Sequence, residues 1–317
     1  MIRVAVGSAK VLGLSRIKMD ILPTTAHLMT PGRCVHDCKF CTQAKSSHAD
    51  QKLLSRISWP EYEEEVVFSA LRDKQDRFQR VCLQVVHSDV HDDFLEYVRK
   101  IRTVCDLPIS VDIKADDIKI VRNTIEAGAD VVGLPIDAAN SQIFKRIKEG
   151  SFSSQMELIK QAADEFDGKI STHLIIGLGE SEKDTVDLIS ELHRYDVTLG
   201  LFAFTPIKGT LLEDMNPPRL KQYRRIQLLR FLIYHNFDPD IIYDDHGNIT
   251  GLDMDYKELM NVVEPSAFQT TGCPGCNRPF YNERPGETLY NYPYGPSKDE
   301  FQRALQKAIS GLEGYIG

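Results

Sequence analysis

No apolar run in this 317-residue chain approaches the roughly 18–20 residues that a membrane-spanning helix needs. The stretch from Met1 to Lys10 is too short in apolar residues to serve as a secretory signal, so the expected location is the cytoplasm. Basic residues are in the minority: 38 Lys and Arg against 46 Asp and Glu leave a net charge of −8. That balance speaks against a nucleic-acid partner. No Gly-x-Gly-x-x-Gly opens the first strand–helix unit, which leaves a dinucleotide fold unsupported. There is no internal repeat of 20–50 residues and no low-complexity tract. Cysteine is sparse and odd in number, at seven. In a reducing compartment such a count favours metal ligation or buried thiols over disulfides.

What is present is an alternation. At 42% hydrophobic and 26% charged, the chain can bury a large core. Strand-like segments are expected at 21–28, 81–87, 108–113, 131–134, 169–176 and 197–204. Helices are expected at 59–74, 92–104, 117–127, 140–148, 153–166, 182–194 and 220–234. Repeated strand–helix units of this length imply a parallel sheet with right-handed crossovers. Six units fit an α/β fold of the partial (β/α)6 TIM-like barrel type. The expected division is a barrel over 1–240 and a C-terminal Cys-containing capping tail over 241–317. The tail turns to Pro, Gly and Tyr after about residue 264. It closes with Phe301, Leu305, Ile309 and Leu312 at helical spacing.

Cys34, Cys38 and Cys41 form a C-x3-C-x2-C triad directly after the first expected strand. Three thiolates on one tight loop suit three irons of a [4Fe–4S] cubane, leaving the fourth iron open to chemistry. A zinc knuckle completed by His36 or His48 is the alternative, although zinc sites usually pair two short Cys units. In barrel enzymes chemistry collects at the C-terminal ends of the strands. The triad lies at that end, with Ser88-Asp89, Asp137, Gly177, Gly179, Glu180 and the stretch Thr205 to Gly209. Each has a plainer reading: Asp137 could cap the following helix, and Gly177 to Glu180 could be only a strand-to-helix turn.

The triad resembles the signature of the radical S-adenosylmethionine (SAM) superfamily. That resemblance implies a [4Fe–4S] cluster whose open iron binds SAM and yields a 5′-deoxyadenosyl radical. The order Asp137, then His173-Leu-Ile-Ile-Gly177-Leu-Gly-Glu180, then Lys208-Gly-Thr-Leu-Leu-Glu-Asp resembles biotin synthase and its relatives over roughly 20–235. It implies that Asp137 holds the SAM ribose and that Gly177, Glu180 and Ser88 belong to the cofactor pocket.

The chain departs from biotin synthase at the auxiliary [2Fe–2S] cluster of that family. Cys82 falls where its first cysteine lies, but the fifth strand carries Ser171 and the third has no cysteine near Ile109 to Val111. Biotin synthesis is therefore not expected. Cys105 ends a helix at the opposite mouth and is expected to be a plain thiol.

In the tail, Gly272-Cys273-Pro-Gly-Cys276-Asn-Arg-Pro-Phe-Tyr-Asn-Glu-Arg-Pro-Gly could place two thiolates on one metal, form a redox disulfide, make half a zinc knuckle, or only turn the chain. We expect an auxiliary [4Fe–4S] cluster on Cys273, Cys276 and Cys82, with Ser171 or Arg278 as candidate fourth ligands. The tail resembles the larger component of the two-protein, archaeal-type lipoyl synthase group. This implies a sulfurtransferase acting on an octanoyl-lysyl lipoyl carrier protein or peptide. It also implies a second radical SAM protein as partner and ferredoxin or flavodoxin as electron donor. Two alternatives stay open. One is a single-cluster radical SAM methylase or ring-forming enzyme with Cys273 and Cys276 structural; the other is a non-catalytic electron-transfer or cluster-delivery protein.

Overall fold

The computed structural model describes residues 1–88, 93–237 and 239–312. It opens with β1 (Ile2–Val4), α1 (Val6–Val11) and β2 (Thr25–Met29). Three two-residue strands, β3 (Leu53–Leu54), β4 (Ile57–Ser58) and β5 (Glu61–Tyr62), lead to α2 (Glu64–Lys74). The barrel continues through β6 (Arg80–Gln84), α3 (Phe94–Val104), β7 (Ile109–Asp112), α4 (Ile118–Glu126) and β8 (Val131–Gly133). Next come α5 (Ser141–Ile147), α6 (Phe152–Glu165), β9 (Ile170–Ile176), α7 (Glu182–Arg194), β10 (Thr198–Ala203) and α8 (Leu220–Tyr234). The tail carries β11 (Ile241–Tyr243), β12 (Ile249–Leu252), α9 (Tyr256–Val262) and α10 (Lys298–Ile309).

Six strands run parallel in the order β2-β6-β7-β8-β9-β10. All five residues of β2 are buried, as expected of a strand covered on both faces. The helices present apolar stripes inward: Val98 and Ile101 of α3 are fully buried, with Phe94 packed against the same core. The expected TIM-like α/β architecture is present. Beyond β2 the sheet is extended by β1, antiparallel to β2, and then by β5, antiparallel to β1.

The strand expected at 81–87 runs from Arg80 to Gln84, and three other boundaries differ from the sequence reading for local reasons. The first strand begins at Thr25, not 21; Pro23 lacks an amide to donate to a ladder. The first long helix begins at Glu64, not 59, because Pro60 disfavours helical backbone at Trp59 and the chain pairs as β5 first. The helix expected from 92 begins at Phe94, capped by the Asp93 side chain accepting from Glu96 N; residue 92 lies outside the described residues.

The tail shares the barrel's core: Phe268, Phe301, Leu305 and Ile309 pack in one cluster with Tyr223 and Leu228 of α8. Buried Arg225 ties four elements together. Its guanidinium donates to Glu182 Oε2 (3.1 Å), Ile249 O (2.9 Å), Ala308 O (3.2 Å) and Ser310 O (3.2 Å). Among the described residues no helix is long and apolar enough to cross a membrane.

Candidate active site

The triad loop leaves β2 and is fixed at both ends by buried Arg3. That guanidinium donates to Thr30 O (2.8 Å), Gly32 O (2.6 Å) and Gln43 Oε1 (2.8 Å). Within the loop Cys41 N donates to Cys38 O at 2.9 Å, a tight turn that keeps the last two thiols together. Its far end rests on Gly209, whose carbonyl accepts from His48 N at 2.8 Å. Gly209 sits at φ +89°, and a Cβ there would meet Ala49 N at 2.5 Å, so only glycine fits. Burial raises the Cys38 thiol to about 11 and that of Cys41 to about 12. Left alone they stay neutral at pH 7; binding as thiolates requires a cationic partner in the site.

Across the mouth, Asp137 takes a left-handed backbone conformation (φ +60°) and extends the ladder: its amide donates to His173 O at 2.9 Å. Its carboxylate pairs with buried Lys148 at 2.7 Å. It does not cap α5, since the Asn140 side chain accepts from Ile143 N at 2.8 Å and does so. Asp137 and Lys148 line the same cavity of about 300 Å³ as all three triad cysteines.

Glu180 has a different role. Its carboxylate is buried, accepts from Gly177 N (2.6 Å) and Leu178 N (2.9 Å), and so locks its own turn. Burial raises its pKa against those amides. Gly177 (φ +107°) lies against Pro218, where a Cβ would approach to 2.7 Å. Ser88 is buried behind the triad loop, against Gly32. Gly177, Glu180 and Ser88 do not face the cavity. Asp89 lies outside the described residues. His48 is exposed, whereas His36 lines the cavity with Nδ1 3.1 Å from Lys114 Nζ.

A second donor set enters from the opposite end. The Cys273–Cys276 loop seals the bottom of the barrel. Asn277 Oδ1 accepts from Thr24 N (2.9 Å), and Pro274 O accepts from Arg80 Nε (3.3 Å). Thr24 and Arg80 stand at the starts of β2 and β6. Adjacent strands then present His27, Cys82 and Ser110 in one register row. The tail cysteines reach the two ends of that row. Ser110 Oγ donates to Cys273 Sγ at 3.3 Å, and Cys276 Sγ lies 3.7 Å from His27 Nε2.

Burial raises Cys82 and Cys273. Burial also acts to raise Cys276, but His27, Arg278 and the Thr25 hydroxyl outweigh it and bring the thiol down to about 7. Cys82 Sγ lies 3.3 Å from Asp112 Oδ2, and Asp112 Oδ1 lies 3.4 Å from His173 Nε2. Arg278 is engaged elsewhere, donating to Thr271 O (2.7 Å) and stacking on Phe202 at 4.1 Å. Ser171 lines the cavity two residue positions above the row, level with Asp112 and Gly133. Cys105 is buried and accepts from Leu107 N at 3.3 Å.

The Radical SAM superfamily profile matches residues 28–192, just over half of the chain. The chain belongs to the radical SAM superfamily. Biotin synthase of Acinetobacter baumannii is 26% identical over 226 residues, covering 65% of this chain and 63% of that protein. Biotin synthase of Cytophaga hutchinsonii is 26% identical over 213 residues, covering 62% and 59%. An uncharacterized Methanocaldococcus jannaschii protein is 25% identical over 181 residues, covering 55% and 47%. This chain thus spans less than two thirds of these relatives' lengths. Methylornithine synthase superposes with TM-score 0.51 at 17% identity, over 65% of this chain and 60% of that one. The hydrogenase maturase HydG superposes with TM-score 0.53 at 11% identity, over 80% and 60%. These two likenesses show the fold.

Superfamily membership implies a [4Fe–4S] cluster and SAM, and the triad fits them. Three partly exposed thiols stand on one loop, in a cavity that also holds the Asp137–Lys148 pair. The second set offers suitable surroundings for sulfur. Trp59 Nε1–H and Tyr281 O–H are buried beside it without an acceptor among the described residues, and both side chains line the cavity. Among the described residues no three His, Cys, Asp or Glu side chains already close around one point. The radical SAM protein therefore displays two open donor sets facing one cavity.

Proposed function

We propose that this radical SAM enzyme inserts sulfur into an unactivated C–H bond of an octanoyl chain carried on a lysine of a lipoyl carrier protein or peptide. A second radical SAM protein acts beside it, and a ferredoxin or flavodoxin supplies electrons. One observation carries the reading: Cys273 and Cys276 of the tail enter the cavity that the triad lines, and they do so beside Cys82. In this reading the triad's cluster with SAM supplies the hydrogen-abstracting radical, and an auxiliary cluster on Cys82, Cys273 and Cys276 supplies sulfide.

The chain's own contributions follow from the lining. Phe40, Leu54, Val85, Ile113, Ile175 and Phe202 give the cavity an apolar wall suited to an unbranched acyl chain. The same wall keeps water from a radical centre. Asp137, held by Lys148, offers its remaining lone pairs to the ribose hydroxyls of SAM. Glu180 supports the pocket by shaping the turn after β9. Ser110 stands at the third-strand position where biotin synthase has a cysteine, and this supports a product other than biotin.

The double variant Cys273→Ala/Cys276→Ala tests the proposal. With an octanoyl-lysyl peptide it should still form 5′-deoxyadenosine but no C–S bond. Wild-type product should level off near one sulfur per protein, because the donor is consumed. C–S formation surviving the double substitution, or zinc bound between the two cysteines, would instead support a single-cluster methylase or ring-forming enzyme. In that case Cys273 and Cys276 serve only the lock formed by Asn277 and Thr24.

A further inference from the structure

The auxiliary site has three cysteines, and its fourth position is open. Of the two residues considered from the sequence, Arg278 is held by Thr271 O and the Phe202 ring. Ser171 sits two residue positions along the strand from the cysteine row. Ser110 lies in the row, but its hydroxyl already accepts from Arg80 Nη1 at 2.7 Å while donating to Cys273. Asp112 is shared among Gln84, Cys82 and His173.

We infer that His27, through Nε2, is the fourth ligand of the auxiliary cluster. This rests on the auxiliary cluster proposed above. Three observations meet on this side chain. It is the register partner of Cys82 on the adjacent parallel strand, so the two side chains leave the sheet on the same face. It is 3% exposed and lines the cavity. Its Nε2 already faces the sulfur of Cys276 at 3.7 Å.

The ring is also held in place. Trp59 and Tyr281 pack around it, with centroids at 6.4 and 5.5 Å. Its backbone is fixed by Ser8 Oγ, which accepts from His27 N at 2.9 Å. A buried imidazole oriented by its neighbours is what a nitrogen ligand requires. Neutral nitrogen in place of a fourth thiolate leaves the cluster one charge less negative, which raises its reduction potential.

The test uses the full chain carrying Cys34→Ala, Cys38→Ala and Cys41→Ala, reconstituted anaerobically with iron and sulfide, so that only the auxiliary site can load. Histidine is labelled with ¹⁵N, and the reduced cluster is examined by pulsed EPR. The expected result is about four irons per chain and a strong ¹⁵N coupling that disappears in His27→Gln. His27→Cys should keep the iron, lose the coupling and shift the potential downward, which guards against simple loss of the cluster. Iron retained with no nitrogen coupling, or a coupling that persists in His27→Cys, overturns the ligand assignment while leaving the cluster standing. No iron bound in the triad-free chain overturns the auxiliary cluster itself, and His27 with it.

Discussion

At the scale of single residues, the sequence shows which side chains carry chemistry more readily than what each one touches. The triad was legible because its spacing has few other uses. Asp137 was ambiguous because Asp137-Ala-Ala-Asn140 contains two possible caps; Asn140 takes the helix and leaves Asp137 to Lys148. Glu180 is expected to support the cofactor pocket from the turn after β9, and its carboxylate closes that turn through Gly177 N and Leu178 N. His27 went unnoticed, since a histidine inside an apolar strand gives no signal until the tail places Cys276 beside it. Two tests belong here. Replacing any one of Cys34, Cys38 or Cys41 by Ala should abolish 5′-deoxyadenosine formation, measured by chromatography; undiminished SAM cleavage would contradict the triad's role. Asp137→Ala should weaken SAM binding by roughly 1.5–3 kcal/mol, the range for a hydrogen bond to a charged group, with the cluster's absorbance unchanged. Unaltered affinity in a binding titration would remove Asp137 from the site.

At the scale of elements, period and punctuation carried most of the information. All six parallel strands and their helices follow the alternation of apolar runs with capped helical segments. β1 and β5 were not legible: three and two residues give no period, and β1 forms on the edge of β2 while β5 forms on the edge of β1. The turn at Gly209 supports the triad loop from a distance. Gly209→Ala, forced into φ +89° against Ala49 N, should cost about 1 kcal/mol or more. It should also lower the iron retained by the triad, measured after desalting; full retention would show that the loop stands without it.

In the tail, burial raises the Glu283 carboxyl to about 7 against the pull of Tyr290 N and Arg56. The folded pKa exceeds the unfolded value of about 4.3. This group's contribution is therefore full below about pH 4.3 and is lost as pH rises through about 7, by at most about 4 kcal/mol. Glu283→Gln should therefore raise the denaturation midpoint at pH 8 and leave it nearly unchanged at pH 4. An equal effect at pH 8 and pH 4 would mean that Glu283 is not held protonated.

At the scale of the whole molecule, the barrel keeps two sets of thiols at opposite ends of one apolar cavity. The triad hangs from the C-terminal ends of the strands, and the tail brings Cys273 and Cys276 up through the bottom. A capping tail was legible from its aromatic content. Its path was not, because it depends on contacts across some 250 residues of chain, such as Asn277 with Thr24. The central claim is that these two ends carry two clusters, one for the radical and one for sulfur. Counting iron and labile sulfide in anaerobically reconstituted wild type and in Cys273→Ala/Cys276→Ala tests this most directly. The expected counts are about eight irons for wild type and about four for the variant. About four irons in both proteins would contradict the claim and leave a radical SAM enzyme with a single cluster.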